Sequence, residues 1–188
     1  MREAEIRAAA LEQFARRGYE ATTMADIGAA VGMRGPSLYK HVSSKQDLLA
    51  SVIEATMITL LAEHDAAVSG VDDLTERLRR AVDAHVRFHA RHRREAFVGT
   101  RELRSLTEPR RSRILGLRAE YEQRFRTLVA EGVEAGAFTV TDPQLASFAL
   151  LDLGMGVAVW FREDSGPSEN QVAWQQVEFA LRLVGAIR

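Results

Sequence analysis

The sequence predicts an all-α protein, and three observations carry that reading. Ala, Leu, Arg and Glu are abundant among the 188 residues, Pro occurs four times, and the period-two alternation of Val, Ile and Thr expected of strands is missing. Apolar residues recur instead at three- and four-residue spacing, punctuated by Gly, Ser and Asp-Pro. The hydrophobic fraction of 46% and charged fraction of 27% belong to a globular chain with a sizeable core, not to a disordered or collagenous one.

Taken in order, Ile6, Ala10 and Phe14 share one face of a helix over 3–17, and Gly18 stands where a C-terminal cap would. Thr23 is an N-cap for a short second helix with Met24, Ile27 and Val31 inward and Gly32 at its close. Pro36 suits the first turn of a third helix, which buries Leu38 and Val42 and cannot exceed about seven or eight residues before Ser43-Ser44. Ser44 with Asp47, or Ser43 with Gln46, makes a capping box for a long fourth helix carrying Leu49, Ile53, Met57 and Leu60 to about Val68. Five more helices follow: Asp72 to about His92, about Arg94 to Leu106, Pro109 to Ala135, Asp142-Pro143 to about Arg162, and Glu169 to about Ile187 behind Ser168. About nine helices thus form a three-helix N-terminal head and a C-terminal bundle, divided as 1–47 and 48–188.

Composition excludes several classes. Without Cys there is no disulfide framework, thiol nucleophile or Cys-ligated zinc. The charged start Met1-Arg2-Glu3-Ala4-Glu5 lacks a signal-peptide core, and no uninterrupted apolar run nears the ~18 residues of a membrane span, so a cytoplasmic chain without membrane partners is expected. His85, His89 and His92 have metal-ligand spacing on one helix face. Arg87, Arg91, Arg93 and Arg94 surround them, so a hydrogen-bonded histidine row is expected and no metal. Gly154-Met-Gly156 lacks the strand and third Gly of a dinucleotide fingerprint and reads as helix packing. No spacing pairs a nucleophile with its base, so neither catalysis nor a cofactor is expected.

The net charge of −1 conceals local excesses: 91–126 holds eleven Arg against five Glu, and 34–45 holds Arg34, Lys40 and Lys45 with no acid. Both Lys of the chain lie in that second window. Two short helices joined by Val31-Gly32-Met33-Arg34 make a helix-turn-helix. With Leu38 and Val42 inward, Arg34, Ser37, Lys40 and His41 turn outward as hydrogen-bonding and cationic groups suited to base edges in a major groove. Thr23, Tyr39 and Lys45, at helix starts and flanks, suit phosphate contacts.

The stretch Thr23-Met-Ala-Asp-Ile-Gly-Ala-Ala-Val-Gly-Met-Arg-Gly-Pro-Ser-Leu-Tyr39-Lys-His-Val-Ser-Ser-Lys45-Gln-Asp-Leu48, after Ala10-Leu-Glu-Gln-Phe14-Ala-Arg-Arg-Gly18-Tyr19, resembles the DNA-binding signature of tetracycline-repressor-type regulators over about 6–52. That family has Ser where Arg34 stands, Gly at Pro36 and Phe at Val42. The resemblance implies DNA contacts through Thr23, Arg34, Gly35, Pro36, Ser37, Tyr39, Lys40, His41 and Lys45. It also implies a homodimer, whose C-terminal domain binds a small effector and moves two reading heads apart on a palindromic operator. Leu145, Phe148, Leu151, Met155 and Val159 of the eighth helix supply one apolar face for such a dimer, with Gly154 and Gly156 allowing close approach. Val177, Ala180, Leu181 and Val184 of the ninth supply the other. Phe97-Val-Gly-Thr-Arg101-Glu102-Leu-Arg104-Ser-Leu106 and Trp160-Phe161-Arg162 resemble a branch responding to acyl-coenzyme A thioesters. Phe97, Arg101, Arg104, Tyr121, Trp160 and Arg162 are its candidate effector residues, with Arg118 a further cation for the coenzyme. The rival readings are a regulator sensing an unrelated lipophilic drug or metabolite, and a non-specific DNA-packaging dimer. A packaging protein would be basic throughout, which −1 contradicts.

Overall fold

The computed structural model describes residues 2–186. Among them are nine α-helices and no strand: α1 Arg2–Arg17, α2 Met24–Ala30, α3 Gly35–Leu38, α4 Lys45–Val68, α5 Leu74–Arg91, α6 Arg93–Arg101, α7 Arg110–Glu134, α8 Pro143–Trp160 and α9 Glu169–Leu183. The caps follow local chemistry. Thr23 and Asp26 form a reciprocal capping box at α2, as do Ser168 and Gln171 at α9, while Asp142 caps α8 with Pro143 in its first turn. Of the two boxes open for α4, Ser44 with Asp47 pairs through side-chain bonds: the Asp47 N–H donates to Ser44 Oγ at 3.0 Å, and the Ser44 hydroxyl donates to Asp47 Oδ2 at 2.6 Å. Gly18, with φ of +81°, ends α1 in the left-handed region.

Regular helix at α3 is four residues, inside the limit of seven or eight; beyond Leu38 the chain continues in turns, the His41 and Val42 N–H groups both donating to the Leu38 carbonyl. Two other elements depart from expectation. The expected helix 94–106 breaks after Arg101 into a 3-10 turn, Leu103–Ser105. There the Ser105 carbonyl, whose helical partner would be the N–H that Pro109 lacks, accepts from Gln46 Nε2 at 2.7 Å. Regular helix in α9 stops at Leu183, and the expected end at Ile187 lies outside the described residues.

Two compact units divide the chain. The first runs through Ile58 and includes Arg94–Leu117. Its core gathers Ile6, Phe14, Ile27, Leu38, Leu49 and Ile53 with Val98, Leu106 and Ile114. The second comprises Thr59–Arg93 and the chain from Arg118 onward. Here α5 packs against α8 and α9, burying Leu78, Ala81, Val82, His85, Val86, Phe88 and His89. Helices α4 and α7 each contribute residues to both units.

Candidate nucleic-acid interface and effector unit

The reading element is held from below. Leu38 and Ile27 are fully buried, and the turn between α2 and α3 is tight: the Met33 N–H donates to the Gly28 carbonyl at 2.8 Å. A Cβ on Gly28 would come within 2.9 Å of the Met33 carbonyl oxygen, so the close approach requires glycine. Thr23 Oγ1 accepts from the Asp26 N–H at 3.1 Å, and Asp26 Oδ2 accepts from the Thr23 N–H at 2.8 Å. The Thr23 hydroxyl and N–H, with Arg17, hold the Asp26 carboxyl down at about 2.

With Leu38 inward, Arg34, Ser37, Tyr39, Lys40 and His41 are exposed, Tyr39 by 56%. The backbone of Gly35 and Pro36 is helical, while their side chains lie outside what is described. Exposed Thr23 sits at the start of α2. Lys45 differs from the others. A cation in the first turn of α4 opposes the helix dipole. Its Nζ turns back instead, donating to the carbonyls of Tyr19 and Thr22, both at 2.9 Å, and lying 4.2 Å from the Tyr19 ring centre. One of three ammonium N–H groups remains for another acceptor.

Sequence reasoning missed a latch beside this element. Gln46 Nε2 donates to Tyr19 Oη at 2.8 Å and to the Ser105 carbonyl, while its Oε1 accepts from the Thr107 N–H at 3.1 Å. Arg110 Nε and Nη2 both donate to Asp47 Oδ1, at 2.8 and 2.6 Å; the bond from Ser44 first, and then those from Arg110, lower the Asp47 carboxyl. The start of α4 is thereby tied to the start of α7. The only local signal was two capping-box candidates in one stretch, one of them left over.

The second unit has a polar, uncharged interior. The His85 ring bridges Tyr121 and the Leu151 carbonyl, at 2.9 and 3.0 Å. His89 Nδ1 donates to the His85 carbonyl at 2.9 Å. Burial depresses the titration of His64, His85 and His89 and raises that of Tyr121, so all four stay neutral. The predicted histidine row is thus hydrogen-bonded core at His85 and His89. Tyr121, at 4% exposure, belongs to it. The other effector candidates lie on the surface. Arg101 stacks over Phe97 at 5.4 Å, and Arg104 is exposed, all three in the first unit. In the second unit, Trp160 is exposed at the end of α8, and Arg162 Nη1 donates to the Val159 and Phe161 carbonyls. Arg118 is desolvated enough to lower its titration.

Comparison with known proteins decides the family. Residues 71–184 match the family described as "Tetracyclin repressor-like, C-terminal domain", and residues 6–52 match "Bacterial regulatory proteins, tetR family". The chain belongs to the tetR family. The HTH-type transcriptional repressor KstR2 of Rhodococcus jostii (strain RHA1) is 25% identical over 182 residues, spanning 96% of this chain and 89% of its own. The crystal structure of a tetR-family bacterial regulatory protein from Rhodococcus RHA1 is 35% identical, with a TM-score of 0.93 and coverage of 99% of this chain and 98% of that one. AibR, in complex with isovaleryl coenzyme A and operator DNA, shares the fold at 23% identity and a TM-score of 0.89, with 100% of each chain covered.

This tetR-family chain is a helix-turn-helix transcriptional regulator, and its family is one of regulators rather than enzymes. The outer face of α8 fits the association of two such chains. Leu145, Phe148, Met155 and Val159 are 64%, 45%, 43% and 75% exposed along one stripe, opposite buried Ala146, Leu150, Gly154 and Val157. Length and composition alone would also let α8 cross a bilayer. The face predicted on α9 needs correction. Val177, Ala180 and Val184 lie in this chain's own core, where α9 packs on α5, and the exposed apolar residues of α9 are Trp174, Phe179 and Leu183. Gly154 likewise serves its own chain: its bare Cα accommodates the His85 ring.

Proposed function

We propose that this regulator is a cytoplasmic homodimeric repressor, released from a palindromic operator by a small effector, with an acyl-coenzyme A thioester as the leading effector class. In this reading residues 1–47 read DNA and 48–188 bind effector and the second subunit. Thr23, Arg34, Gly35, Pro36, Ser37, Tyr39, Lys40, His41 and Lys45 make the DNA contacts, Arg34 and Ser37 reaching base edges and Tyr39 and Lys45 the backbone. One observation carries the reading: Leu38 is anchored while a cationic, acid-free flank projects to solvent from a helix too short to stand on its own propensity. One such probe reads only a few base pairs, so two heads about one DNA turn apart, roughly 34–36 Å, supply useful specificity. In the second unit, desolvated Arg118 and exposed Arg162 are the cations offered to a coenzyme A. A hundredfold release requires the effector to bind the DNA-incompetent state more tightly by about 2.7 kcal/mol.

The neutral interior around His85 and Tyr121 favours a second reading, in which the effector is an uncharged lipophilic metabolite. Operator sequences selected from a random duplex library, followed by fluorescence anisotropy, test both. Isovaleryl- and decanoyl-coenzyme A release DNA under the first reading and leave it bound under the second. Selection of no palindrome would sink the repressor account.

A further inference from the structure

Among the described residues of the second unit, one buried side-chain nitrogen has no hydrogen-bond partner: Nε2 of His64, a residue 5% exposed on α4. Its Nδ1 stands 3.3 Å from Asp65 Oδ1. An ionised carboxylate only accepts, so the imidazole hydrogen belongs on Nδ1 and Nε2 presents a bare lone pair. The Tyr121 ring meets the His64 ring edge-on at 5.8 Å, and Phe125 lies at 5.4 Å. Tyr121 has no proton to offer. The Leu151 carbonyl requires the hydrogen of His85 on Nε2, so His85 Nδ1 takes the Tyr121 O–H. An acceptor desolvated among aromatic rings without a donor is rare in native interiors and calls for an explanation.

His64 also lines a groove of about 420 Å³ with Val68, Leu128 and Thr127, a size ordinary for a small ligand. The groove's arginines are already matched. Arg77 pairs with Glu131 at 3.1 Å, and Arg124 pairs with Asp65 at 2.8 Å and Glu120 at 3.0 Å. No surplus positive charge is left to draw an anion.

We propose that His64 Nε2 is the acceptor that fixes the polar end of a neutral effector, one with an aliphatic body and a hydroxyl or amide N–H donor. The proposal rests on the second reading above, in which the second unit takes an uncharged lipophilic effector rather than a coenzyme A thioester, and it names the polar group that effector carries. Octanol and its isomer heptyl methyl ether test it, being equal in size and differing in the donor. With the full-length protein, calorimetry yields both affinities while NMR of the histidine imidazole nitrogens follows Nε2, its signal identified by loss in His64→Gln. Octanol is expected to bind about tenfold more tightly than the ether and to shift the Nε2 resonance. In a folded His64→Phe protein the two isomers should bind equally. Equal affinities in the unsubstituted protein overturn the proposal even if neither substituted protein folds, and so does octanol binding that leaves the assigned Nε2 signal unmoved. Operator anisotropy on the same samples separates the two claims: octanol that shifts Nε2 without releasing DNA supports the contact and counts against the release mechanism alone.

Discussion

Replacing Gly154 with Ala sets two principles against each other with opposite signs. In a helix interior, Ala is favoured over Gly by about 1 kcal/mol. A Cβ at 154, however, would stand 2.1 Å from His85 Cδ2 and 2.5 Å from its Nε2. That ring is pinned at both nitrogens, by Tyr121 at 2.9 Å and the Leu151 carbonyl at 3.0 Å, so it cannot swing aside without breaking a buried hydrogen bond. Overpacking costs about 1–3 kcal/mol and a broken buried bond about 1–3 more, so after the propensity gain Gly154→Ala should lose about 1–5 kcal/mol. Gly116→Ala is the control. That glycine is exposed in α7 with nothing within 4 Å of the added carbon, and the change should stabilise by about 1 kcal/mol at most. Urea unfolding followed by far-UV circular dichroism, at one protein concentration because subunit association contributes to stability, measures both. Combined with His85→Ala, the Gly154→Ala loss should shrink, since the clash needs both partners. A Gly154→Ala protein as stable as the parent would refute the packing of His85 against α8.

Three further expectations follow from other parts of the molecule. Tyr39→Ala should reduce the salt dependence of operator binding by about 0.9 in log–log slope with unfolding unchanged, whereas Lys45→Ala should also lower stability by about 1–3 kcal/mol because its ammonium holds two carbonyls. An unaltered urea midpoint in Lys45→Ala would remove the clamp from the account. Arg34→Ala and Ser37→Ala should narrow the preference for the selected operator over single-base variants, by about 1–3 kcal/mol per base pair read; equal weakening on every duplex would reassign them to the phosphate backbone. His64, His85 and His89 stay neutral when folded but take up protons near 6.5 when unfolded, so the unfolded state gains as pH falls. Stability should therefore be level above that value and decline below it, by about 1.4 kcal/mol per pH unit for each histidine held neutral. The slope should become shallower in His85→Phe, and a flat profile between about pH 7 and about pH 5 would contradict the neutral interior.

What the sequence by itself determined is what lies within one or two helical turns. The N-caps Thr23 and Ser168, the Asp142-Pro143 start and the Gly18 stop each close through bonds between residues at most four apart, so residue type and spacing suffice to place them. The outward flank of the reading element is legible for the same reason, once Leu38 is recognised as its inward anchor. Tertiary structure alone decided the rest. Gln46 looked like a capping residue and instead bonds to Ser105 and Thr107, 59 and 61 residues away, and that long-range contact accompanies the break after Arg101. The inward face of α9 was not legible either, because its sequence offers apolar residues on several sides and the packing of α5 selects which of them are buried. His64 and His85 show the same division most clearly. Helical spacing places them on their faces, but only the approach of α7 and α8 leaves one imidazole bonded at both nitrogens and the other with a lone pair unmatched.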